Sequence, residues 1–411
     1  MLARSHAAAF ALMMLVSPAL GQVNSPAAVP DLGPVRVISL GGLTGAASGA
    51  SADLMSAREL AVLEVNAGGG LADGRALTLD LVDVGCTGAL ATDAGAEARD
   101  AFEAAGAVAF LGPVCSDAAL AAAGAAIALG APMISDGATT PLLSALVDDD
   151  LVYRTAPSDV AVAEALAELA LARGYVRMAV AHEPGAWATG LSQAFAQAFR
   201  AGGGDITATA ELPAGQGDYA PDMAALADQG AAEALVLLAY AGGDGVPALR
   251  AALRLGAWQG VLGADGLLDD AVVRDLGSLT LTRVTLVAPA PDRSAEAWTH
   301  FAAAAEASGF DPEAPLAAQG YDAAMIMALA LVRSGGEGGT ALAAAIREVT
   351  DPGALPVGPG AWATARKAAM AGPVRYVGAS GAIRFDAAGD TPGTLAAWKA
   401  TGGVWRASVL R

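Results

Sequence analysis

From residue 35 onward, apolar runs of four to seven residues alternate with longer stretches in which apolar side chains return every three or four positions. The runs read as buried strands and the stretches as helices. Val35-Arg-Val-Ile-Ser-Leu40 is the first strand; Leu54, Ala57, Ala61 and Val65 then mark a helix over residues 52–66, ended by Asn66-Ala-Gly-Gly-Gly70. Strands over 77–83, 108–111 and 133–135 follow, each leading into a helix or a Gly/Thr-rich loop. A second series starts after Tyr153-Arg-Thr-Ala-Pro157. It reads helix 159–173, strand 176–181, helix 189–201, strand 205–210, helix 219–229, strand 235–238, helix 246–255 and strand 261–262. Such alternation predicts mostly parallel sheets covered on both faces, and two series predict two doubly wound α/β lobes.

The chain then continues with a strand at 282–287 and helices at 294–308, 314–334 and 340–349. A Pro/Gly-rich insert and a helix over 361–370 precede closing strand-like segments at 383–385, 395–400 and 404–410, with Gly402-Gly403 as a hairpin turn between the last two. Alanine repeats in several helices are compositional and set no solenoid period.

The N-terminus reads as an export signal. Arg4 supplies a short positive region, residues 7–16 an apolar one, and Ser17-Pro-Ala-Leu-Gly21 small residues for cleavage after Gly21. The apolar run is too short to span a bilayer, and no cysteine near the cut would carry a lipid anchor. Residues 1–21 are therefore expected to be a signal peptide and 22–34 a Pro- and Ala-rich leader, with the mature protein soluble in the periplasm.

Charge and residue inventory remove several functions. Asp and Glu number 42 against 23 Lys and Arg, a net charge of −19, so nucleic acid and anionic lipid would be repelled. Of three histidines, His6 lies in the leader, and His182 and His300 are far apart; no multi-histidine metal motif or Ser/His triad pattern appears. Lys367 and Lys399 are the only lysines and neither follows a phosphate-loop glycine; Gly-x-Ser-x-Gly is absent. Gly41-Gly-Leu-Thr-Gly45 follows a strand but lacks the dinucleotide spacing; it either lets a ligand or the opposing lobe approach the backbone or makes a tight turn. No catalytic residue, metal or cofactor is expected.

The only two cysteines, Cys86 and Cys115, each fall just past a strand end, where neighbouring parallel strands would bring them together. In an exported chain they would oxidise to a bridge. Cys115-Ser-Asp117 opens a helix, so Ser116 either caps that helix or holds an anion such as a carboxylate against free backbone N–H groups.

Several segments then appear in a telling order: Gly42-Leu-Thr-Gly45, Glu64-Val-Asn-Ala-Gly-Gly69, Val114-Cys-Ser116, Pro132-Met-Ile-Ser135 with Ala138-Thr139, and Tyr153-Arg-Thr-Ala-Pro157. Later come His182-Glu-Pro-Gly-Ala-Trp-Ala-Thr-Gly190, Gly263-Ala-Asp-Gly266, Tyr321-Asp-Ala323, and Tyr376-Val-Gly-Ala-Ser-Gly381 leading to Phe385-Asp-Ala-Ala-Gly-Asp390. From Val35 to the C-terminus the chain resembles the leucine/isoleucine/valine-binding protein family, the solute receptors of branched-chain amino-acid ABC importers with the type I periplasmic-binding-protein fold.

The resemblance implies two lobes joined by three crossovers, near 155–157, 287–289 and 377–381, with a ligand in the cleft. Lobe 1 would be 35–156 with 288–377, and lobe 2 157–287 with 378–411. By the same resemblance the carboxylate-holding positions fall on Ser116, Gly137, Ala138 and Thr139, and the acid facing a ligand ammonium on Asp265, which is otherwise a turn residue between Gly263-Ala264 and Gly266. Trp187 falls on an aromatic wall position or packs between lobes; Tyr240 and Tyr321 match a wall position or the core. His182 ends its strand as a hydrogen-bonded or solvated side chain. Ala50 replaces the family's first-loop aromatic, Asp136-Gly137 stands where Pro-Ala is frequent, and 351–375 is longer than in simple members, so leucine specificity does not follow. The implied function is a monomeric receptor for a small amino acid or related carboxylate, presented to a membrane permease. The alternative is a sensor that signals through a regulatory or chemoreceptor partner.

Overall fold

The computed structural model describes residues 32–45, 48–86 and 88–409. The export signal and nearly all of the leader lie outside them, and the side chain of Ala50 is likewise not described.

The first series gives β1 (Val35–Gly41), α1 (Ser48–Ala67), β2 (Leu77–Asp83), α2 (Gly88–Ala105), β3 (Ala109–Leu111), α3 (Ser116–Leu129), β4 (Met133–Ser135) and β5 (Val152–Arg154). Their five strands form one parallel sheet in the order β2-β1-β3-β4-β5. The second series gives α4 (Asp159–Ala172), β6 (Arg177–His182), α5 (Ala186–Ala201), β7 (Asp205–Glu211), α6 (Ala220–Asp228), β8 (Ala234–Leu238), α7 (Val246–Leu255), β9 (Gly260–Gly263), α8 (Asp270–Leu276) and β10 (Val284–Pro289). Its parallel strands run β10-β9-β8-β6-β7. Each sheet therefore sets its second strand outside the first and its third on the other side. The strand order reverses beside β1 in one lobe and beside β6 in the other, and ligands bind past the carboxyl ends of strands at such reversals.

The remaining helices, α9 (Glu296–Ser308), α10 (Ala317–Arg333) and α11 (Gly339–Glu348), share one core with β1 and α1. Helix α10 is buried from Ala317 to Val332; with apolar residues on every side it is the central helix of lobe 1 rather than a surface helix. The long stretch after residue 351 folds as β11 (Leu355–Val357), α12 (Trp362–Ala371) and β12 (Val374–Tyr376). Trp362 docks it on lobe 1 by donating its indole N–H to the Gly70 carbonyl at 2.9 Å. Finally β13 (Leu395–Thr401) and β14 (Val404–Val409) add an antiparallel hairpin to the β10 edge of the second sheet. Gly402 and Gly403 turn it with φ of 64° and 90°, the region favouring glycine. The segment 383–385, Ile-Arg-Phe, is not a strand: Ile383 and Phe385 are buried in the lobe 1 core from irregular backbone. Burial alone, without a ladder partner, supplied the apolar signal there.

Cys86 and Cys115 are bonded, with Cα atoms 5.1 Å apart. Closing this loop stabilises the fold by roughly 3–4 kcal/mol in the chain-entropy account. Gly42 packs on the bridge: a Cβ there would stand 2.6 Å from the Cys86 sulfur. This glycine admits the disulfide to the β1 loop.

Candidate functional site

The lobe 1 wall is built from the turns after β3 and β4. Helix α3 has Cys115 at its N-cap position with no side-chain cap bond, so Ser116 is the first helical residue and does not cap it. Its Oγ instead accepts the Thr140 N–H at 3.3 Å, tying the α3 start to the β4 loop. Within that loop Gly137 and Thr139 line a cavity, whereas Ala138 is fully buried and gives its N–H to Ser135 Oγ at 3.2 Å.

Beneath the loop lies a group whose role the sequence concealed. Asp136 faces neither ligand nor solvent. Both its oxygens take Arg58 of α1, at 2.5 and 2.6 Å, with both side chains fully buried. Arg58 also reaches Ser39 Oγ and the Leu40 carbonyl, at 2.9 and 2.8 Å, so α1, β1 and the β4 loop are fastened at one point. A bidentate buried pair of this kind fixes geometry more than it adds net stability.

The lobe 2 wall comes from the ends of β6, β8 and β9. Trp187 is in the first turn of α5, not on a loop, and is 3% exposed. It stacks on Tyr240 with ring centroids 4.5 Å apart. Gly266 makes room for the indole: a Cβ there would meet the Trp187 ring and the Ala239 carbonyl. Glu183, at the end of β6, accepts the Tyr240 N–H at 3.1 Å. Burial pushes its carboxyl up to about 7, the Tyr240 N–H opposes the shift, and the charges of Asp244 and Asp117 add to it. His182 turns its Nδ1 to the Glu183 carbonyl at 2.9 Å and stays out of the cavity lining.

The two walls meet around a cavity of about 50 Å³ bounded by Gly137 and Thr139 on one side and Trp187, Tyr240, Asp265 and Gly266 on the other. At Gly49, Leu268, Asp269 and Pro315 it joins a wider groove of about 820 Å³. The lobes touch across it. Both Asp117 oxygens, from the first turn of α3, accept the Ala186 N–H at the start of α5, at 3.1 and 3.2 Å. The described conformation is thus a closed one.

Two acids line this cavity, Asp265 in its lobe 2 wall and Asp269 where it opens to the groove, and Asp269 Oδ1 already accepts the Ala271 N–H at 2.7 Å. The Oδ1 of Asp265 is buried without a hydrogen-bond partner, and among the described residues no Lys or Arg lines the cavity. Burial raises its carboxyl to about 6, against the opposing effect of its own N–H and that of Gly266.

Five of the residues expected to bind ligand (Gly137, Thr139, Trp187, Tyr240 and Asp265) line one cavity; Ser116 and Ala138 lie just behind it. Tyr321 is elsewhere. Its ring packs on Phe301 in the lobe 1 core, centroids 5.2 Å apart, and its hydroxyl donates to Glu64. The neighbouring Asp322 carboxylate is also internal, accepting Tyr376 Oη, the Ala379 and Ser380 N–H groups and Ser380 Oγ at 2.6–2.8 Å. The Tyr-Asp pair therefore serves packing and the loop after β12, not the cleft.

The sequence profile of a family described as Periplasmic binding protein matches residues 34–381. This chain belongs to that family. No curated protein matches it. Among solved structures it is similar to the leucine binding protein LivK from Thermotoga maritima, at TM-score 0.77 and 22% identity, over 91% of this chain and 98% of that one. The substrate binding protein LivJ from Streptococcus pneumoniae, in complex with isoleucine, gives TM-score 0.75 and 18% identity over 91% and 99%. A solute binding protein of an ABC transporter from R. palustris, in complex with benzoate, gives 0.73 and 18% over 91% and 95%. These likenesses show the type I periplasmic-binding-protein fold with its two lobes. No described helix is long and apolar enough to cross a membrane.

Within this periplasmic binding protein the sequence reading missed three acids bonded to the walls behind the cavity: Asp117 at Ala186, Asp159 through its N–H at Thr139, and Glu183 at the Tyr240 N–H. Asp117 and Asp159 stand in the first turns of α3 and α4, where an acid reads as complementing the helix dipole. Only the tertiary arrangement sets Asp117 against the start of α5 and buries Asp159.

Proposed function

We propose that this protein is an exported receptor that closes its lobes on a small amino acid, branched-chain or related, and presents it to the permease of an ABC importer. The observation that carries the reading is Asp265, an acid lining the interlobe cavity without a basic partner among the described residues. An ammonium group supplies the missing cation, while a benzoate would bring a second negative charge beside it. Opposite Asp265, the Thr139 hydroxyl and backbone N–H groups at the start of α3 and in the β4 loop suit a carboxylate without arginine. A zwitterion spanning these two walls contacts both lobes at once, and contacts available only in the closed state are what drive closure.

Mass spectrometry of ligand retained through purification identifies the native solute. Calorimetry with L-leucine, L-alanine and benzoate, on the parent protein and Asp265→Ala, tests the assignment. Loss of the acid is expected to cost an α-amino acid roughly 2–5 kcal/mol and to leave a plain carboxylate little changed. Equal losses for both ligand types, or benzoate as the retained ligand, would overturn the amino-acid reading.

A further inference from the structure

The interlobe cavity is too small for a whole solute. Its volume of about 50 Å³ takes roughly four water-sized groups at about 10–15 Å³ each. The ammonium, Cα and carboxylate of an amino acid fill that space, whereas pockets that enclose an entire ligand run to roughly 300–1,000 Å³. A side chain of any length therefore has to leave the cavity. The cavity opens into the groove of about 820 Å³ between Gly49 and Pro315 on one side and Leu268 and Asp269 on the other. Gly49 lies in the first turn of α1, where a helical backbone does not call for glycine. What its missing side chain leaves is room. A Cβ there would stand 3.8 Å from Asp269 Oδ2, so a longer side chain would fill the opening.

Beyond the opening the groove has two unlike walls. Asp53 follows Gly49 by one turn on the same face of α1, about 6 Å further along the helix axis. It shares the groove lining with Asp311, from the loop between α9 and α10. Asp53 is half-buried and lies past the first turn of its helix, where an acid no longer complements the helix end. Burial, and after it the charge of Asp311, pushes its carboxyl up. Among the described residues neither acid makes an ion pair: Arg293 is taken by Glu313, and the other two arginines of the groove, Arg274 of α8 and Arg406 of β14, are exposed on the lobe 2 side. That side also carries Trp398 of β13, whose ring already has the Arg293 guanidinium over it at 5.9 Å. An aromatic wall facing two carboxylates that lack a base suits a cation on a flexible apolar stem.

We infer that the side chain of the solute passes between Gly49 and Asp269 into this groove and ends in an ammonium or guanidinium held by Asp53 and Asp311, so that the cargo is a basic α-amino acid. The inference rests on the α-amino-acid reading above and specifies its side chain. A four-carbon stem is about as long as the one helical turn that separates Gly49 from Asp53, whereas a branched side chain as short as that of leucine ends at the opening.

Calorimetry with L-lysine, L-norleucine and L-alanine tests this, because norleucine has the straight stem of lysine without the cation. The parent should bind lysine roughly five- to tenfold more tightly than norleucine. Raising sodium chloride from about 50 to about 500 mM should shrink that preference, since the groove is open to solvent. In the double variant Asp53→Asn with Asp311→Asn lysine should fall to the affinity of norleucine. Gly49→Leu should weaken lysine at least tenfold more than alanine, whose side chain does not reach the opening. Thermal melts of the ligand-free variants establish that each is folded, and the two variants alter the groove and the opening independently. Norleucine matching lysine in the parent, or a lysine preference kept by the folded double variant, overturns the cationic tail and leaves the amino-acid reading standing. Equal losses of lysine and alanine in folded Gly49→Leu overturn the route past Gly49. Failure of all three amino acids to bind the parent refutes the amino-acid reading itself, and the inference with it.

Discussion

At the residue scale, the buried ion pair between Arg58 and Asp136 decides how the ligand-facing β4 loop is held. Arg58→Met would leave Asp136 buried and unpaired, and should cost about 3–5 kcal/mol in urea denaturation. Adding Asp136→Ala to that variant should restore much of the loss, because the uncompensated charge is then gone. If Arg58→Met alone is as stable as the parent, the pair has no structural part. The same pair shows where the sequence stopped being informative. Gly137, Thr139, Trp187, Tyr240 and Asp265 were reached through the family resemblance and not through any local pattern, and each follows a strand end, where this fold places its cleft. The partner of Asp136 lies 78 residues away on α1, and no local pattern encodes so remote a contact. Tyr321 misled for a related reason: a tyrosine in an apolar helix reads the same whether its hydroxyl meets a ligand or, as here, Glu64. Asp159 and Glu183 carry ordinary local signals, and only burial makes them unusual.

At the element scale, the fold was legible wherever a run was long enough to be buried on both sides or a helix long enough to show its period. Strands β2 and β4 and helix α7 fall on the expected residues, and most other elements within a few. The short α8 escaped because seven residues barely complete two turns, and Leu267-Leu268-Asp269-Asp270 before it reads as a turn. What apolar periodicity cannot report is how one element's end addresses another across the cleft. Helices α3 and α5 both point their N-termini at the interface, and Asp117 sits between them as an acid at the start of one and an acceptor for the other. Two positive helix ends facing one carboxylate form an interlobe contact that exists only on closure. Asp117→Ala should therefore weaken ligand binding by about 1–2 kcal/mol, roughly 5- to 30-fold, without lowering the melting temperature of the ligand-free protein. Small-angle scattering should find the variant less compact than the parent at equal ligand saturation. Unchanged affinity would mean that this contact does not favour the closed state.

At the scale of the whole molecule, buried acids and a large negative charge act in the same direction on stability. Burial raises Asp322 and Asp265 to about 6 and Glu183 to about 7. In the unfolded chain these groups ionise near 4, so between about pH 4 and 7 the folded state holds protons that the unfolded state has lost. Their protonated forms thus favour the fold fully below about pH 4, and that contribution is lost as pH rises through 6 to 7. For Asp322, fully buried behind Tyr376 and Ser380, the loss by neutral pH is roughly 3 kcal/mol at 1.4 kcal/mol per unit. The exposed acids whose partners lower them, Asp73, Asp292 and Glu233, give up their stabilisation only at more acidic pH and do not oppose the trend in this window. The ligand-free protein should accordingly melt at a higher temperature at pH 5 than at pH 7.5. A net charge of −19 at pH 7 adds self-repulsion with the same sign, and salt distinguishes the two sources. Repulsion among surface charges is screened, whereas desolvation of an internal carboxylate is not. Repeating the melts in about 0.5 M sodium chloride should shrink the pH dependence without removing it, and Asp322→Asn should reduce what remains if the variant keeps the loop after β12 in place. A melting temperature that is flat in high salt between pH 5 and 7.5 would show that these acids are not held protonated by the fold. The solute-bound protein offers the complementary reading: with an ammonium beside Asp265, that residue's share of the pH dependence should disappear, leaving the curve to Asp322 and Glu183.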